Sequence, residues 1–86
     1  LDYRVELKPA AKRQAERLPH PIQAALSGLV VRLQSDPRFR GVRPVKAIPG
    51  SLRPRLGDYR VIFEVDDARR LVTITRIARR DKAYKP

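Results

Sequence analysis

The sequence predicts an α+β fold: a small antiparallel β-sheet in the order β-α-α-β-β-β, with a helical hairpin packed on one face. Three observations predict it. Residues 52–65, LRPRLGDYRVIFEV, read as two strands folded back around Gly57-Asp58, glycine then a small polar residue being the order of a two-residue type II′ loop. Residues 22–33 carry Ile22, Ala25, Leu26, Leu29, Val30 and Leu33, the i, i+3, i+4, i+7 spacing of an amphipathic helix. Residues 71–79 are rich in β-branched side chains, as a further strand requires.

Taken in order, Tyr3, Val5 and Leu7 alternate with Arg4, Glu6 and Lys8, the pattern of a half-buried strand. Pro9 suits a first helical turn, because its fixed φ fits there and its missing N–H is not needed. Ala11, Ala15 and Leu18 then share one helical face, and Pro19-His20-Pro21 breaks it. Asp36-Pro37 stops the second helix. A link of about three residues makes the two helices antiparallel neighbours. Residues 38–50, with prolines at 44 and 49 and glycines at 41 and 50, read as an irregular connection. The hairpin, a loop at 66–70 and the last strand complete a meander, and residues 81–86 form a short tail. Nothing divides the chain, so residues 1–86 are expected to be one domain.

Eighty-six residues bury about 60–65% of the surface the unfolded chain exposes. The core is thin, which favours a shallow groove, or a site completed by a partner, over a deep cavity. Lys and Arg number 20 against 9 Asp and Glu, for a net charge of +11, and 15 of the 20 cations are arginine. Guanidinium groups bind phosphate bidentately and stack on bases, so the excess points to nucleic acid or an acidic protein. There is no cysteine, which excludes disulfides, thiolate metal sites and cysteine nucleophiles. No metal-ligand spacing or phosphate-cradling loop appears, and no cofactor is expected. No apolar run approaches the roughly 20 residues of a membrane span, and no signal-peptide pattern is visible. The chain is expected in the cytoplasm, away from membranes. It does not begin with Met, so residues are expected to be missing from its start.

The Gly57-Asp58 loop pairs Leu56 with Tyr59, Arg55 with Arg60 and Arg53 with Ile62, so Arg53, Arg55 and Arg60 share a face. Like charges directly opposite one another are destabilising, and a bound phosphate relieves them. A five-residue loop at 66–70 pairs Val65 with Leu71 and Arg60 with Arg76. It sets Val61, Phe63, Val65, Leu71, Thr73 and Ile77 on one face, and Arg60, Ile62, Glu64, Val72 and Ile74 on the other. Arg80 joins Arg60 by parity. A four-residue loop moves Arg76 and Arg80 to the opposite face. The same arginines could instead be solvated or paired with Asp58, Glu64 and Asp81. His20 reads as a surface turn residue, Lys46 as solvated, Glu64 as a structural ion-pair partner, and Asp58, Asp66 and Asp67 as turn formers.

Residues 44–84, PVKAIPGSLRPRLGDYRVIFEVDDARRLVTITRIARRDKAY, resemble the RelE/ParE superfamily of toxins from bacterial toxin–antitoxin pairs. The Arg53–Phe63 segment is the most specific part. The YRVELKPAAKRQAERLP opening and the LQSDPR ending of the second helix extend the likeness over nearly the whole chain.

For the RelE-like branch, the resemblance implies a ribosome-dependent endoribonuclease that cuts mRNA in the decoding site without a metal. Attack of the ribose 2′-hydroxyl on the adjacent phosphate yields a 2′,3′-cyclic phosphate and a 5′-hydroxyl. Carried over by position, Arg53 and Arg55 match the family's basic pair on the second strand, and Arg60 matches its phosphate-binding arginine. Arg80 matches the arginine after the last strand, and Tyr84 the C-terminal aromatic that stacks on a base. Some active relatives carry lysine where Arg53 and Arg55 stand, and often histidine where Arg79 stands. Arginine holds phosphate but does not act as a general base, which leaves ribosomal RNA or Tyr84 to supply it, or else a weak activity or a different target. The ParE-like branch implies the alternative, a toxin that inhibits DNA gyrase by protein contact. Either branch implies a cognate antitoxin as partner, and the first adds the ribosome and mRNA.

Overall fold

The computed structural model describes residues 2–45, 50, 52–53 and 55–79, residues 52, 53 and 55 through their backbone. The elements run β1 (Arg4–Leu7), α1 (Pro9–Glu16), α2 (His20–Ser35), β2 (Arg43–Pro44), β3 (Leu52–Arg53), β4 (Arg55–Leu56), β5 (Tyr59–Asp66) and β6 (Leu71–Arg79). One sheet contains all the strands in the order β1-β6-β5-β3-β2, with β4 also paired to β5. The expected α+β class and helical hairpin hold. Among the described residues no helix is long and apolar enough to cross a membrane.

The sheet is mixed rather than purely antiparallel, because β1 runs parallel to β6 with Arg4 opposite Leu71 and Leu7 opposite Ile74. The chain leaves β1, crosses through both helices and returns to the far edge. β1 therefore meets β6 without a hairpin link, and a helical crossover is what a parallel neighbour needs. The connection after α2 is also less irregular than expected: Arg43 and Pro44 pair with Arg53 and Leu52. Proline is tolerated there because β2 is an edge strand.

Pro9 opens α1, as its fixed φ favours. The link to α2 is short, and His20 is the exposed first residue of α2 rather than part of a break. Gln23 of α2 donates its amide N–H to the carbonyls of Ala15 and Glu16, at 3.2 and 3.3 Å. These are among the carbonyls that the end of α1 leaves without intrahelical donors. Helix α2 buries Leu26, Leu29 and Leu33. They join Ala11, Leu18, Leu56, Val61, Phe63, Val72, Ile74 and Ile77 in the main core between helices and sheet.

The hairpin register is as expected, with Arg55 opposite Arg60, Leu56 opposite Tyr59 and Leu52 opposite Phe63. Gly57 takes φ 60° while Asp58 does not go positive, the combination a type II′ loop requires. The β5–β6 register differs from expectation. Asp66 pairs with Leu71, so the turn is the four residues 67–70, and a bulge intervenes between Ile62 opposite Arg76 and Phe63 opposite Ile74. Val72 and Ile74 therefore face the helices, and Leu71 and Thr73 lie on the other side, the reverse of the expected assignment. Arg60 pairs with Ala78 rather than Arg76.

Candidate functional site

The sheet face away from the helices is not a plain solvated surface. Ile62 is 1% exposed and packs with Val45 and Ala78 in a second, smaller apolar cluster. Val45 reaches it from the end of β2, so the segment after α2 supplies part of this floor. Arg60 lies on the same face, two residues from Ile62 along β5, opposite Ala78 on one side and Arg55 on the other.

Arg60 is 7% exposed, and no other described polar or charged residue is buried. Its Nη1 donates to its neighbour's carbonyl, Tyr59 O, at 3.3 Å. A guanidinium carries five N–H donors, and the described ion pairs, Arg4–Glu6 and Arg38–Asp67, do not involve it. Glu64 lies on the Arg60 face as expected, yet it is exposed and takes no part in those ion pairs. Asp58, in the hairpin turn, is likewise outside them. Burying a cation without a carboxylate partner is costly, and an oxyanion arriving from outside relieves that cost with charge-assisted hydrogen bonds.

The bulge brings Arg76 to this face, where it stands opposite Ile62 and is partly buried. Arg79 pairs with Tyr59 and alternates to the helix side. The backbone places Arg53 and Arg55 in β3 and β4, with Arg55 directly across from Arg60. Lys46, Arg80, Asp81 and Tyr84 lie outside the described residues. Of the five expected site residues, the described side chains thus include Arg60 alone.

At the opposite end of the sheet, Arg38 has a carboxylate partner. Arg38 donates from Nη1 and Nη2 to the two carboxylate oxygens of Asp67, both at 2.9 Å, and Tyr3 Oη donates to Oδ1 at 2.6 Å. The Arg70 guanidinium sits 5.0 Å from the centre of the Tyr3 ring. The hydrogen bond from Arg38, followed by that from Tyr3, holds the Asp67 carboxyl at about 2, below its ordinary 3.8. The same bond raises Arg38. Of this clasp the sequence marks only Asp67, as a turn former. Its partners are 29 and 64 residues away, beyond any local pattern.

Among the described residues, two grooves have volumes of about 440 Å³. One runs between α2 and the following loop over Ala25, Gly28, Leu29 and Leu56, with Phe39 at its side and Arg32 stacked 3.9 Å from the Phe39 ring centre. The other lies by Lys8, Glu64, Leu71 and Thr73. Neither includes Arg60.

Residues 5–84 match the family model described as the ParE toxin of the type II toxin–antitoxin system parDE. Toxin RelE of Mycobacterium tuberculosis is 36% identical over 84 residues, covering 96% of this chain and 87% of that protein. Among solved structures, the toxin–antitoxin complex RelBE2 of M. tuberculosis contains a chain 29% identical, with a TM-score of 0.78 and 93% of each chain covered. The archaeal RelE–RelB complex of Pyrococcus horikoshii contains one 25% identical, with a TM-score of 0.83, covering 96% of this chain and all of that one. The chain belongs to the RelE/ParE superfamily and is a type II toxin on its RelE-like side.

Proposed function

We propose that the protein is a ribosome-dependent endoribonuclease that stops translation by cutting mRNA in the decoding site, with Arg53, Arg55, Arg60, Arg80 and Tyr84 as its site residues. The observation that carries this reading is Arg60: a buried arginine with no carboxylate partner among the described residues, across from Arg55 on the sheet face away from the helices. An RNA phosphodiester supplies the missing negative charge. The RelE names of the relatives support the same activity.

In the proposed reaction the ribose 2′-oxygen gives up its proton and attacks the adjacent phosphorus. The bond to the 5′-oxygen breaks, that oxygen takes up a proton, and a 2′,3′-cyclic phosphate remains. Negative charge grows on the non-bridging oxygens, where preorganised guanidinium donors act most strongly. Arg53, Arg55 and Arg60 are assigned to that charge, Arg80 to the phosphate and leaving oxygen, and Tyr84 to the base of the nucleotide. None of the arginines takes the 2′-proton. Tyr84 and ribosomal RNA are the two sources of a general base open to test.

The match to the ParE model favours a second reading, a toxin that inhibits DNA gyrase by protein contact. Induced expression followed by primer extension on a cellular mRNA separates the two. Codon-positioned cuts are expected; intact mRNA together with inhibited supercoiling by purified gyrase would replace the first reading with the second. Under either, the protein pairs with a cognate antitoxin, as the relatives solved as toxin–antitoxin complexes suggest.

A further inference from the structure

The last strand reverses its facing midway. Ile74 and Ile77 are both buried in the helix-side core, at 0% and 2% exposure. Three positions apart, they would lie on opposite faces of a regular strand. The bulge inserts Thr75 between the pairs Ile74–Phe63 and Arg76–Ile62, so both isoleucines reach the core. The same extra residue turns Arg76 and Ala78 toward Arg60. A four-residue turn alone would have left Arg76 facing the helices, and the bulge cancels that shift.

Among the described residues, two side chains hold the bulge. Thr75 Oγ1 donates to Ile62 O at 3.2 Å within the sheet. From the helical layer, Gln14 Oε1 accepts the Ile77 N–H at 2.7 Å. β1 pairs with β6 only as far as Ile74, where Lys8 N donates to Ile74 O at 2.9 Å. Beyond that point β6 has no neighbouring strand on this side among the described residues, and Gln14 of α1 supplies the acceptor that a strand would have given. A buried backbone N–H without an acceptor is strongly disfavoured.

We infer that Gln14 is a positioning residue for the phosphate-binding face: it fixes the phase of β6 after the bulge and so sets Arg76 beside Arg60 as a further cation for the RNA backbone. Gln14 works from the opposite side of the sheet and touches no substrate. The inference rests on the proposed RNA reading.

The test uses the full chain and a short single-stranded RNA oligonucleotide with 2′-O-methyl riboses, which cannot be cut. Its affinity is measured across a salt series for the wild type, Gln14→Leu, Gln14→Glu, Arg76→Gln and Arg60→Gln. Each phosphate contact contributes about 0.7 to the slope of log K against log salt for a single strand. Arg76→Gln is expected to lower the slope by about that amount. Gln14→Leu should do the same with every arginine intact, weakening binding about three- to tenfold at low salt. Gln14→Glu keeps an acceptor for Ile77 N–H and should retain the wild-type slope. Loss of stability alone changes the amount of folded protein, not the slope of what remains.

A wild-type slope in Gln14→Leu, or a lowered slope in Gln14→Glu equal to that of the Leu variant, overturns the inference. So does a wild-type slope in Arg76→Gln where Arg60→Gln lowers it, and that result leaves the phosphate reading standing. An unchanged slope in Arg60→Gln, or no binding by the wild type, removes the phosphate reading itself. Should Gln14→Leu not fold, Thr75→Val with hydrogen exchange at the Ile77 amide replaces it. Faster exchange together with a lowered slope supports the inference, and faster exchange with an unchanged slope overturns it.

Discussion

The two ends of the sheet treat arginine in opposite ways. By the 67–70 turn, Arg38 is exposed, yet it is met by both oxygens of Asp67, and Tyr3 completes the clasp. By the 57–58 turn, Arg60 is buried, and its described bond goes to a backbone carbonyl. Electrostatics alone would reverse this arrangement, placing the carboxylate where the cation is desolvated. The difference separates an exposed arginine that joins two loops from a buried one to which the proposed reading assigns an anion from outside. Net charge cannot make that distinction, and the placement of the partners can.

The comparison breaks most visibly if both ends matter equally for activity. Arg60→Ala is expected to lower cleavage of ribosome-bound mRNA by about 100-fold, roughly 2.7 kcal/mol of transition-state stabilisation. Arg38→Ala should leave it within about twofold. Primer extension with equal amounts of folded protein reads both. Next in size is Gly57→Ala. The turn needs φ 60° at that position, and a side chain there costs about 1–2 kcal/mol. Denaturant unfolding should show that loss, with weaker RNA binding as the pairing of Arg55 with Arg60 loosens.

The smallest effect sharpens the other end. Asp67 is held at about 2 in the folded chain against an ordinary 3.8. A lowered folded value means that its contribution is fully present above the unfolded value and is lost as pH falls through the folded one. Asp67→Asn should therefore reduce stability at pH 6 and converge on the wild type as pH approaches about 2. Unfolding midpoints across that range read the difference. A constant gap down to the lowest pH would show that the carboxylate charge is not what holds the clasp.

What could be read in advance follows the range of the interactions. The 52–65 hairpin was legible because Gly57-Asp58 determines the turn and the turn determines the register; Arg55 opposite Arg60 followed from local chemistry. The helices were legible from the spacing of Leu26, Leu29 and Leu33. The parallel pairing of β1 with β6 was not, since it depends on where a long crossover returns. The bulge left a trace, the odd spacing of Ile74 and Ile77, that strict alternation concealed. The acceptor at Gln14 and the Tyr3–Asp67–Arg38 clasp join residues distant in sequence, and no periodicity marks them. Of the candidate site, the hairpin frame and the place of Arg60 opposite Arg55 were legible; the apolar floor of Val45, Ile62 and Ala78 appeared only with the fold.

The central claim is that Arg60 is kept for an RNA phosphate and not for the fold. Arg60→Met tests it most directly, because methionine retains an unbranched apolar stem and removes the buried charge. The account predicts a toxin that no longer arrests growth yet unfolds about 4–8 °C higher, equivalent to about 1 kcal/mol. A variant that loses stability by a similar amount while still arresting growth would contradict it.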